Sequence, residues 1–338
     1  MRIDVVPSVF APLGITEVYR TSSDCRADCP FCGRKMHFVM WEKSRATGGP
    51  LGWCRKCFAT WQPKNDNWKS LTDAELAAIA RERERREQEE QRKRARAMRA
   101  LPAWRVFHEN LARYPRAPEM WRERYGVNDW SMRYYRLGYC PSFQYWHKKQ
   151  PYTSDTLVVP FFEPQTMRVT NMRHRLLDPD ARGGKYRPHR GGLGQPMFFA
   201  NLNRGTFDYC LIVEGAIKAI IIWQHIIDCL LSSDVDDDAM TLAKNMQIVG
   251  VTGNSIAEHN LPRLASAKII YLMLDPDQYR PAKRDAEPGV IRLAERLGVE
   301  RCRLIALPGK PDDLLVEGSM TVSDLRHYVR IARRICLT

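Results

Sequence analysis

Residues 210–222 read CLIVEGAIKAIII, and this stretch has a pattern typical of a strand followed by a helix. Four apolar residues lead straight into Glu214 and Gly215, which indicates a buried strand that stops at a turn. The apolar residues then continue without a turn signal, for long enough to predict a buried helix. Glu214 is therefore expected at the carboxyl end of a strand, where open α/β sheets place their ligands.

A second acidic turn follows a second apolar run, because residues 269–274 read IIYLML and lead into Asp275, Pro276 and Asp277. If the two strands are neighbours in one parallel sheet, the three acids converge on one edge. Clustered carboxylates repel each other unless a cation lies between them, and their hard oxygens suit Mg²⁺. Each motif alone has a simpler explanation, as a partner of a helix dipole or as a turn. Together they favour a metal site.

The composition is that of a soluble globular protein: 338 residues, 44% of them hydrophobic and 27% charged. Lys218, Gln224 and His225 interrupt the longest apolar run, so we expect no membrane span. The first residues lack the apolar core of a signal peptide. We therefore predict a cytoplasmic protein with reduced cysteines, whose close pairs are metal ligands before they are disulfides.

The formal charge of +14 is unevenly distributed. Residues 101–200 carry 16 Lys and Arg against 8 Asp and Glu, whereas residues 201–338 carry 17 against 18. This layout is expected when the front of a chain binds a polyanion and the back acts on it chemically. The chain has no Gly-x-x-x-x-Gly-Lys-Ser/Thr sequence, which makes a P-loop ATPase or a fused helicase motor an unlikely class.

Two Cys-x-x-Cys pairs near the start, Cys29 with Cys32 and Cys54 with Cys57, are separated by 21 residues. Four thiolates at this spacing are typical of a tetrahedral structural zinc site. The alternative is that the cysteines are two reduced pairs in a core, but a segment with so few apolar residues needs a bound metal or another cross-link to fold stably. Cys25 is a spare ligand candidate, which we expect to be a bystander.

A charged segment separates these cysteines from the rest of the chain. Residues 81–99 are almost wholly Arg, Glu, Gln, Lys and Ala, with pairs such as Glu82 and Arg86 at the favourable i,i+4 spacing. No apolar stripe is present for a partner to bury. We predict a solvated helical tether.

The next hundred residues predict two or three short helices and then a basic sheet. Strands are expected at 156–162 and 168–175, followed by a glycine-rich basic loop at 183–192. Arg173, Arg175 and Lys185 give this sheet a phosphate-binding character.

From residue 210 the pattern alternates between strands and helices, which predicts an α/β sheet. Strands are expected near 210–213, 247–251, 268–274 and 302–307, and helices near 215–227, 259–265, 288–297 and 321–335. The acidic run at 234–238 is expected to be a solvated loop.

The order of these parts resembles bacterial DnaG-type primases and their phage or mobile-element relatives. Glu214 with Asp275-Pro-Asp277 is similar to the Toprim signature, and Cys29-Pro-Phe-Cys32 with Cys54-Arg-Lys-Cys57 resembles the primase zinc ribbon. The resemblance divides the chain into a zinc ribbon (1–70), a charged helical linker (71–102), a basic α+β subdomain (103–205) and a Toprim α/β subdomain (206–338).

The resemblance also implies roles for individual residues. Mg²⁺ or Mn²⁺ would be held by Glu214, Asp275, Asp277 and Asp312, the last in a segment similar to the late Toprim acidic motif. Nucleotide or template contacts are expected from Arg173, Arg175, Lys185, Tyr186 and Lys218.

Two lysines depart from the family pattern. Lys218 stands four residues after Glu214, where the family has an acid, and Lys310 also replaces an acid. On a helix Lys218 would lie on the face of Glu214, so that it can replace a metal charge, contact a triphosphate or form a plain pair with that carboxylate.

These features predict a DNA primase that makes short RNA primers on single-stranded DNA from nucleoside triphosphates, with a replicative helicase expected in trans. Two alternatives stay open. A Toprim nuclease would share the acids, and a catalytically weak replication-initiation DNA-binding module would explain the two lysines.

Overall fold

The computed structural model describes residues 2–4, 6–20, 25–42, 50–54, 56–57, 59–61, 73–191, 193–232, 236–253, 255–281 and 288–335. The chain divides into two compact units, Met1–Gln91 and Arg92–Thr338. Helix α1 (Asp73–Ala100) contains this boundary. The predicted boundaries after residues 70, 102 and 205 stay predictions. Within the described ranges, no helix is both long and apolar enough to cross a bilayer.

The first unit contains a six-stranded antiparallel sheet whose strands follow chain order. The strands are β1 (Arg2–Asp4), β2 (Val18–Arg20), β3 (Cys25–Ala27), β4 (Phe38–Trp41), β5 (Leu51–Cys54) and β6 (Thr60–Trp61), with a 3₁₀ helix at Ser8–Leu13. Phe10 and Trp61 pack in its small core with ring centroids 4.9 Å apart. Such a ribbon agrees with the predicted fold class.

Helix α1 is solvated as the sequence predicts, because residues 84–96 are exposed. Glu82 accepts hydrogen bonds from Arg85 at 2.8 Å and from Arg86 at 2.6 Å. Surface pairs of this kind contribute only about 0.3–0.5 kcal/mol each. The helix therefore depends on helix-forming residues rather than on packing along its exposed part.

The second unit begins with three short helices and a four-stranded antiparallel sheet in the order β10-β9-β8-β7. The elements are α2 (Trp104–Arg113), α3 (Arg116–Tyr125), α4 (Asp129–Tyr134), β7 (Gly138–His147), β8 (Gln150–Phe162), β9 (Val169–Leu176) and β10 (Tyr186–Pro188). Gly126, with φ of 68°, ends α3 in the left-handed conformation. We call this four-stranded sheet the basic sheet.

A second sheet of six strands has the order β11-β13-β12-β14-β15-β16, with four parallel strands in its centre. These are β11 (Met197–Phe199), β12 (Tyr209–Glu214), β13 (Met246–Val251), β14 (Ile269–Met273), β15 (Cys302–Leu304) and β16 (Arg333–Arg334). Its helices are α5 (Ala216–Leu231), α6 (Asp237–Asn245), α7 (Gly289–Leu297), α8 (Pro311–Val316) and α9 (Val322–Ile331). We call it the acidic sheet.

Successive residues of β12 enter different cores, as expected for a strand covered on both faces. Leu211 and Val213 pack with α5, whereas Cys210 and Ile212 pack with α7. The predicted α/β class is confirmed.

Four predicted elements differ in the structure. The helix expected near 321–335 ends at Ile331 and is followed by β16. Asp236 accepts hydrogen bonds from the N–H groups of Asp238 and Ala239, so the described end of the acidic run caps α6 and the prediction of a loop there was wrong. The helix expected at 259–265 is a 3₁₀ helix, Glu258–Leu264, because Pro262 removes a donor. The glycine-rich basic loop contains β10, since Tyr186 pairs with Arg175.

Two histidines are packed inside the basic sheet. His174 is fully buried, stacks on Phe143 with centroids 3.8 Å apart, and shares hydrogen bonds with Thr156 (2.8 Å) and His189 (2.9 Å). Burial and the neighbouring His189 lower the pKa of His174 well below its usual value. Burial, aided by Arg190, lowers the pKa of His189 to about 4. The folded state therefore holds both rings neutral.

We expect acid to destabilise the second unit through these rings. A depressed histidine pKa means that the unfolded chain binds more protons, so stability falls as the pH drops below about 6.5. Between pH 7 and pH 5 the free energy of unfolding should fall by about 1–2 kcal/mol more in the wild type than in His189→Asn. Urea titrations measure this, with the exposed His327→Asn as the control. Equal pH dependence in all three proteins would contradict the assignment.

Candidate functional site

The turn after β12 places Glu214 at the edge of the acidic sheet. Gly215 has φ of 96°, and its N–H donates to the Val251 carbonyl at 2.7 Å. A side chain at Gly250 would collide with the carbonyl of Gly215, so the neighbouring strand needs a glycine there. The chain then enters α5 directly, as the sequence predicts.

Asp275 reaches the same edge because β14 is the parallel neighbour of β12, with Val213 opposite Met273. Asp275 precedes a 3₁₀ helix at Pro276–Tyr279. The Tyr279 hydroxyl fixes this turn because its one proton faces the carbonyls of Leu272 and Ile305, and its oxygen accepts from the Leu274 N–H at 3.3 Å.

Three carboxylates at this edge carry a buried oxygen that has no hydrogen bond. These atoms are Oε2 of Glu214, Oδ1 of Asp275 and Oδ1 of Asp312, the last at the start of α8. A buried carboxylate oxygen normally has a donor, and leaving it without one costs free energy. The oxygens of Glu214 and Asp312 therefore have capacity left for a ligand, whereas Asp275 Oδ1 lies beside a lysine ammonium.

Lys218 lies among these acids, one turn into α5. Its Nζ is 3.2 Å from Asp275 Oδ1 and 4.0 Å from Asp312 Oδ1, and its side chain is only 13% exposed. The sequence suggested a pair with Glu214 instead. Among the described residues, the ion pairs of Lys218 are with these two aspartates and not with Glu214.

The acids and the lysine at this edge shift each other's pKa values. Burial raises the pKa of Glu214, the charge of Asp275 raises it further, and Lys218 opposes both. Burial likewise raises the pKa of Asp312, against the effect of Lys218. The ammonium therefore opposes the protonation of Glu214 and Asp312 that burial favours.

Asp277 occupies a different position from the other predicted acids. It is exposed, and its Oδ2 accepts from the Gln278 side chain at 2.8 Å. Its charge also raises the pKa of Glu214, so it lies close enough to act on the buried group.

A pocket of about 340 Å³ lies between the basic sheet and the acidic edge. The residues that line it include every cationic residue predicted for the site: Arg173, Arg175, Lys185, Lys218 and also Lys310. Tyr186, Glu214 and Asp312 line it as well, whereas Asp275 and Asp277 are not among the lining residues. The structure thus brings the predicted cations together with two of the four predicted acids, and Asp275 pairs with one of those cations, Lys218.

Arg175 is fixed in this pocket by two tyrosines. Its Nε donates to the Tyr125 hydroxyl at 2.9 Å, and its guanidinium lies 4.8 Å from the ring centroid of Tyr186. Sequence reasoning missed Tyr125 and its neighbour Arg124, which also line the pocket. The sequence feature that could have drawn attention to them is Gly126, because it ends the helix on which both residues lie.

One buried amide connects the two walls of the pocket. Gln224 of α5 accepts a hydrogen bond from the Asn128 N–H and donates one to the Gly126 carbonyl, each at 2.8 Å. Its side chain is almost fully buried. The helix that carries Lys218 is therefore bound to the turn that follows Tyr125.

The first unit holds a separate group of four cysteines. Cys29 Sγ lies 3.7 Å from Cys57 Sγ, Cys32 Sγ lies 3.8 Å from Cys54 Sγ, and all four atoms lie within 4.8 Å of one another. A tetrahedron with metal–sulfur bonds of about 2.3 Å has edges of about 3.8 Å, so the group fits zinc. Lys56 and Cys57 donate backbone hydrogen bonds to Cys54 Sγ at 3.4 and 3.5 Å.

Cys25 lies outside this group, in β3, as expected for a bystander. Among the residues that the structure describes, the four cysteines are the one His, Cys, Asp or Glu set with ligand atoms this close together. The carboxylates of the acidic edge are spaced more widely, with the Lys218 ammonium near two of them.

No protein-family model matches the chain, and no curated protein sequence matches it. Its fold, however, is that of DnaG-type primase catalytic cores. A DnaG primase catalytic domain bound to ssDNA is 14% identical with a TM-score of 0.51, covering 73% of this chain and 83% of that one. The RNA polymerase domain of Mycobacterium tuberculosis primase DnaG is 16% identical with a TM-score of 0.50, covering 71% of this chain and 84% of that one.

The E. coli primase catalytic core is 13% identical, with a TM-score of 0.50 over 69% of this chain and 79% of that one. The predicted DnaG-type fold is confirmed. At this level of identity the likeness concerns the fold and does not extend to the chemistry of the site.

We expect Cys54→Ala to lose its zinc. The variant removes one of four thiolates, and because metal binding is coupled to folding in such ribbons, the first unit should lose structure too. Metal analysis of the purified protein should give about one zinc per wild-type chain and much less in the variant. Cys25→Ala is the matched control and should keep its zinc. Full occupancy in Cys54→Ala would remove the assignment.

Proposed function

We propose that the protein is a DNA primase, which joins nucleoside triphosphates into short RNA primers on a single-stranded DNA template. The observation that supports this best is the pocket itself, where arginines and lysines line one cavity together with Glu214 and Asp312, each of which has a buried oxygen without a hydrogen bond. Triphosphate and template phosphates need cations, and joining nucleotides needs metal-binding acids. The Toprim assignment of residues 206–338 belongs to this proposal.

Glu214, Asp275 and Asp312 would hold a divalent cation, Mg²⁺ or Mn²⁺, with Asp277 at the rim. Their fit is supported by the three buried oxygens without a hydrogen bond and by the hard character of these donors. When bound, such an ion lowers the barrier to attack by a hydroxyl and neutralises charge on a triphosphate.

The chain's own cations would position the nucleotide. Arg175 is held by Tyr125 and Tyr186, so its remaining N–H groups are presented with little loss of side-chain entropy. Lys185, Lys310 and Arg173 lie around the same pocket and add charge for phosphate oxygens. Lys218 would act mainly on Asp275 and Asp312 and would reach a phosphate only as a point charge.

The zinc ribbon would contact the template, and a replicative helicase in trans would supply single-stranded DNA. A structure similar in fold is bound to ssDNA, which agrees with such a template. The excess of positive charge before residue 201 is also suited to a polyanion.

A catalytically weak DNA-binding module is the second candidate. The observation that favours it is the position of Lys218, whose ammonium already neutralises part of the carboxylate charge. In that case the pocket would bind nucleic acid or nucleotide without turnover.

We expect the wild type to make short labelled oligomers from single-stranded DNA, nucleoside triphosphates and Mg²⁺ or Mn²⁺. Glu214→Gln keeps the shape of the side chain but removes a metal-binding charge, so it should reduce synthesis at least about 100-fold. Denaturing gels measure the products. A shortened template would indicate the nuclease, and binding without any product would indicate the module.

We expect Lys218→Met to make stability depend on divalent metal. Removing the ammonium leaves Asp275 and Asp312 without their cation, and breaking a buried pair costs about 3 kcal/mol. Mn²⁺ should restore part of this loss by taking over the charge. Denaturant titrations with and without Mn²⁺ measure the effect.

Lys268→Met is the matched control for this experiment. Lys268 pairs with Asp208 at 3.1 Å, but its side chain is 73% exposed. Such a pair contributes at most about 1 kcal/mol and should not respond to Mn²⁺. Equal losses in the two variants, or no effect of Mn²⁺ on Lys218→Met, would refute the role of Lys218 as a built-in cation.

A further inference from the structure

The hairpin formed by β7 and β8 carries an exposed tryptophan at its tip. Trp146 is 68% exposed, next to the turn at Lys148 and Lys149. A large aromatic side chain this open to water, with cations beside it, has the features of a base-stacking residue. Nothing in the proposed reaction uses this residue.

The turn itself is built against conformational preference. His147 pairs with Gln150, so Lys148 and Lys149 form a two-residue loop, and both have left-handed φ values of 48° and 67°. Hairpin loops of this kind favour Asn-Gly, because other side chains are strained there. Two lysines in these positions cost about 1–2 kcal/mol each, which points to a use for their charge.

The cations around the hairpin have no acidic partners. Within the described residues, no ion pair involves Lys148, Lys149, Lys185 or Arg187. The Arg187 guanidinium lies 5.0 Å from the ring centroid of Tyr145, and a side chain at Gly183 would collide with both His147 and Arg187. The basic loop therefore packs directly against the hairpin.

Strand register places Trp146 on the pocket side of the basic sheet. Trp146 pairs with Pro151, and Leu157 pairs with Arg175. Because Pro151 and Leu157 are six residues apart on β8, they point to the same face. Trp146 thus shares a sheet face with Arg175 and lies about 20 Å from it, at about 3.3 Å per residue.

We propose that the β7–β8 hairpin is a docking surface for single-stranded nucleic acid that extends out of the pocket, with one base stacked on Trp146 and phosphates on Lys148 and Lys149. An aromatic side chain beside unpaired cations has the chemistry that binds single strands without sequence preference. The proposal rests on the proposed function for what occupies the pocket. It extends that site by a contact outside the pocket, on the same face of the sheet.

Affinity for oligothymidines of about 4 and about 16 nucleotides, measured by fluorescence anisotropy, tests the proposal. Stacking of one base is worth about 1–3 kcal/mol, so Trp146→Ala should weaken binding of the long strand by about 5- to 150-fold. The short strand spans only about 14 Å when its bases are stacked, which is less than the distance from Arg175 to Trp146, so it should bind unchanged. Trp146→Phe should largely restore the affinity, and Leu231→Ala, at a residue 74% exposed on α5, should have no effect.

A second variant separates binding from folding. Lys148→Asn combined with Lys149→Gly supplies the residues that the turn prefers, so it should raise the melting temperature. Binding of the long strand should nevertheless weaken, and the slope of log affinity against log salt should become shallower by about 1.4. If the turn were merely structural, the melting temperature would rise while the affinity and the salt slope stayed as in the wild type.

The proposal is overturned if Trp146→Ala binds the long strand as the wild type does. It is also overturned if that variant loses only self-association or association with a purified helicase, since the tip would then be a protein contact. A protein that makes no primers but loses strand affinity in Trp146→Ala would refute the primase function alone. Failure of the two ideas can therefore be told apart.

Discussion

Carboxylates buried together at the edge of a sheet repel each other, and the second unit depends on offsetting that repulsion. Glu214 and Asp275 are brought together by parallel pairing of β12 with β14 in a sheet that is buried on both faces. The Lys218 ammonium, 3.2 Å from Asp275 Oδ1, offsets part of this repulsion. Because the sheet fixes the acids and the helix fixes the lysine, neither partner can move away to relieve the charge. The strands and the helix that form the core thus also hold these charges close together.

The residues that could be predicted from the sequence are those whose position follows from strand pairing. Glu214 and Asp275 each end an apolar run, so their approach required only that the two strands be parallel neighbours. The cysteine group is of the same kind, since two knuckles at that spacing have few other geometries. Arg175 and Lys185 were predicted from the basic character of their segment and from the family resemblance, and both line the pocket.

The remaining features depend on contacts that no local pattern encodes. Tyr125 lies on a helix 50 residues before Arg175, and only the packing of α3 against the basic sheet brings its hydroxyl to that guanidinium. Strand β7 was missed because a bulge between Cys140 and Phe143 breaks its alternation. The sequence suggested Glu214 as the partner of Lys218 because helical spacing relates residues that are close in the chain. The actual partners, Asp275 and Asp312, come from two distant elements of the chain, the end of β14 and the start of α8.

The amide of Gln224 has a consequence for how a ligand would be received. It joins the helix of Lys218 to the turn after Tyr125, so the two walls of the pocket are in contact through a buried group that satisfies both a donor and an acceptor. Opening the pocket at this point would expose two unpaired backbone groups. The width between the walls is therefore set when the chain folds, and the entropy of ordering them is lost at that stage rather than on binding. Such a pocket selects ligands by dimensions that exist before the ligand arrives, and any closure over the ligand has to come from elsewhere in the molecule.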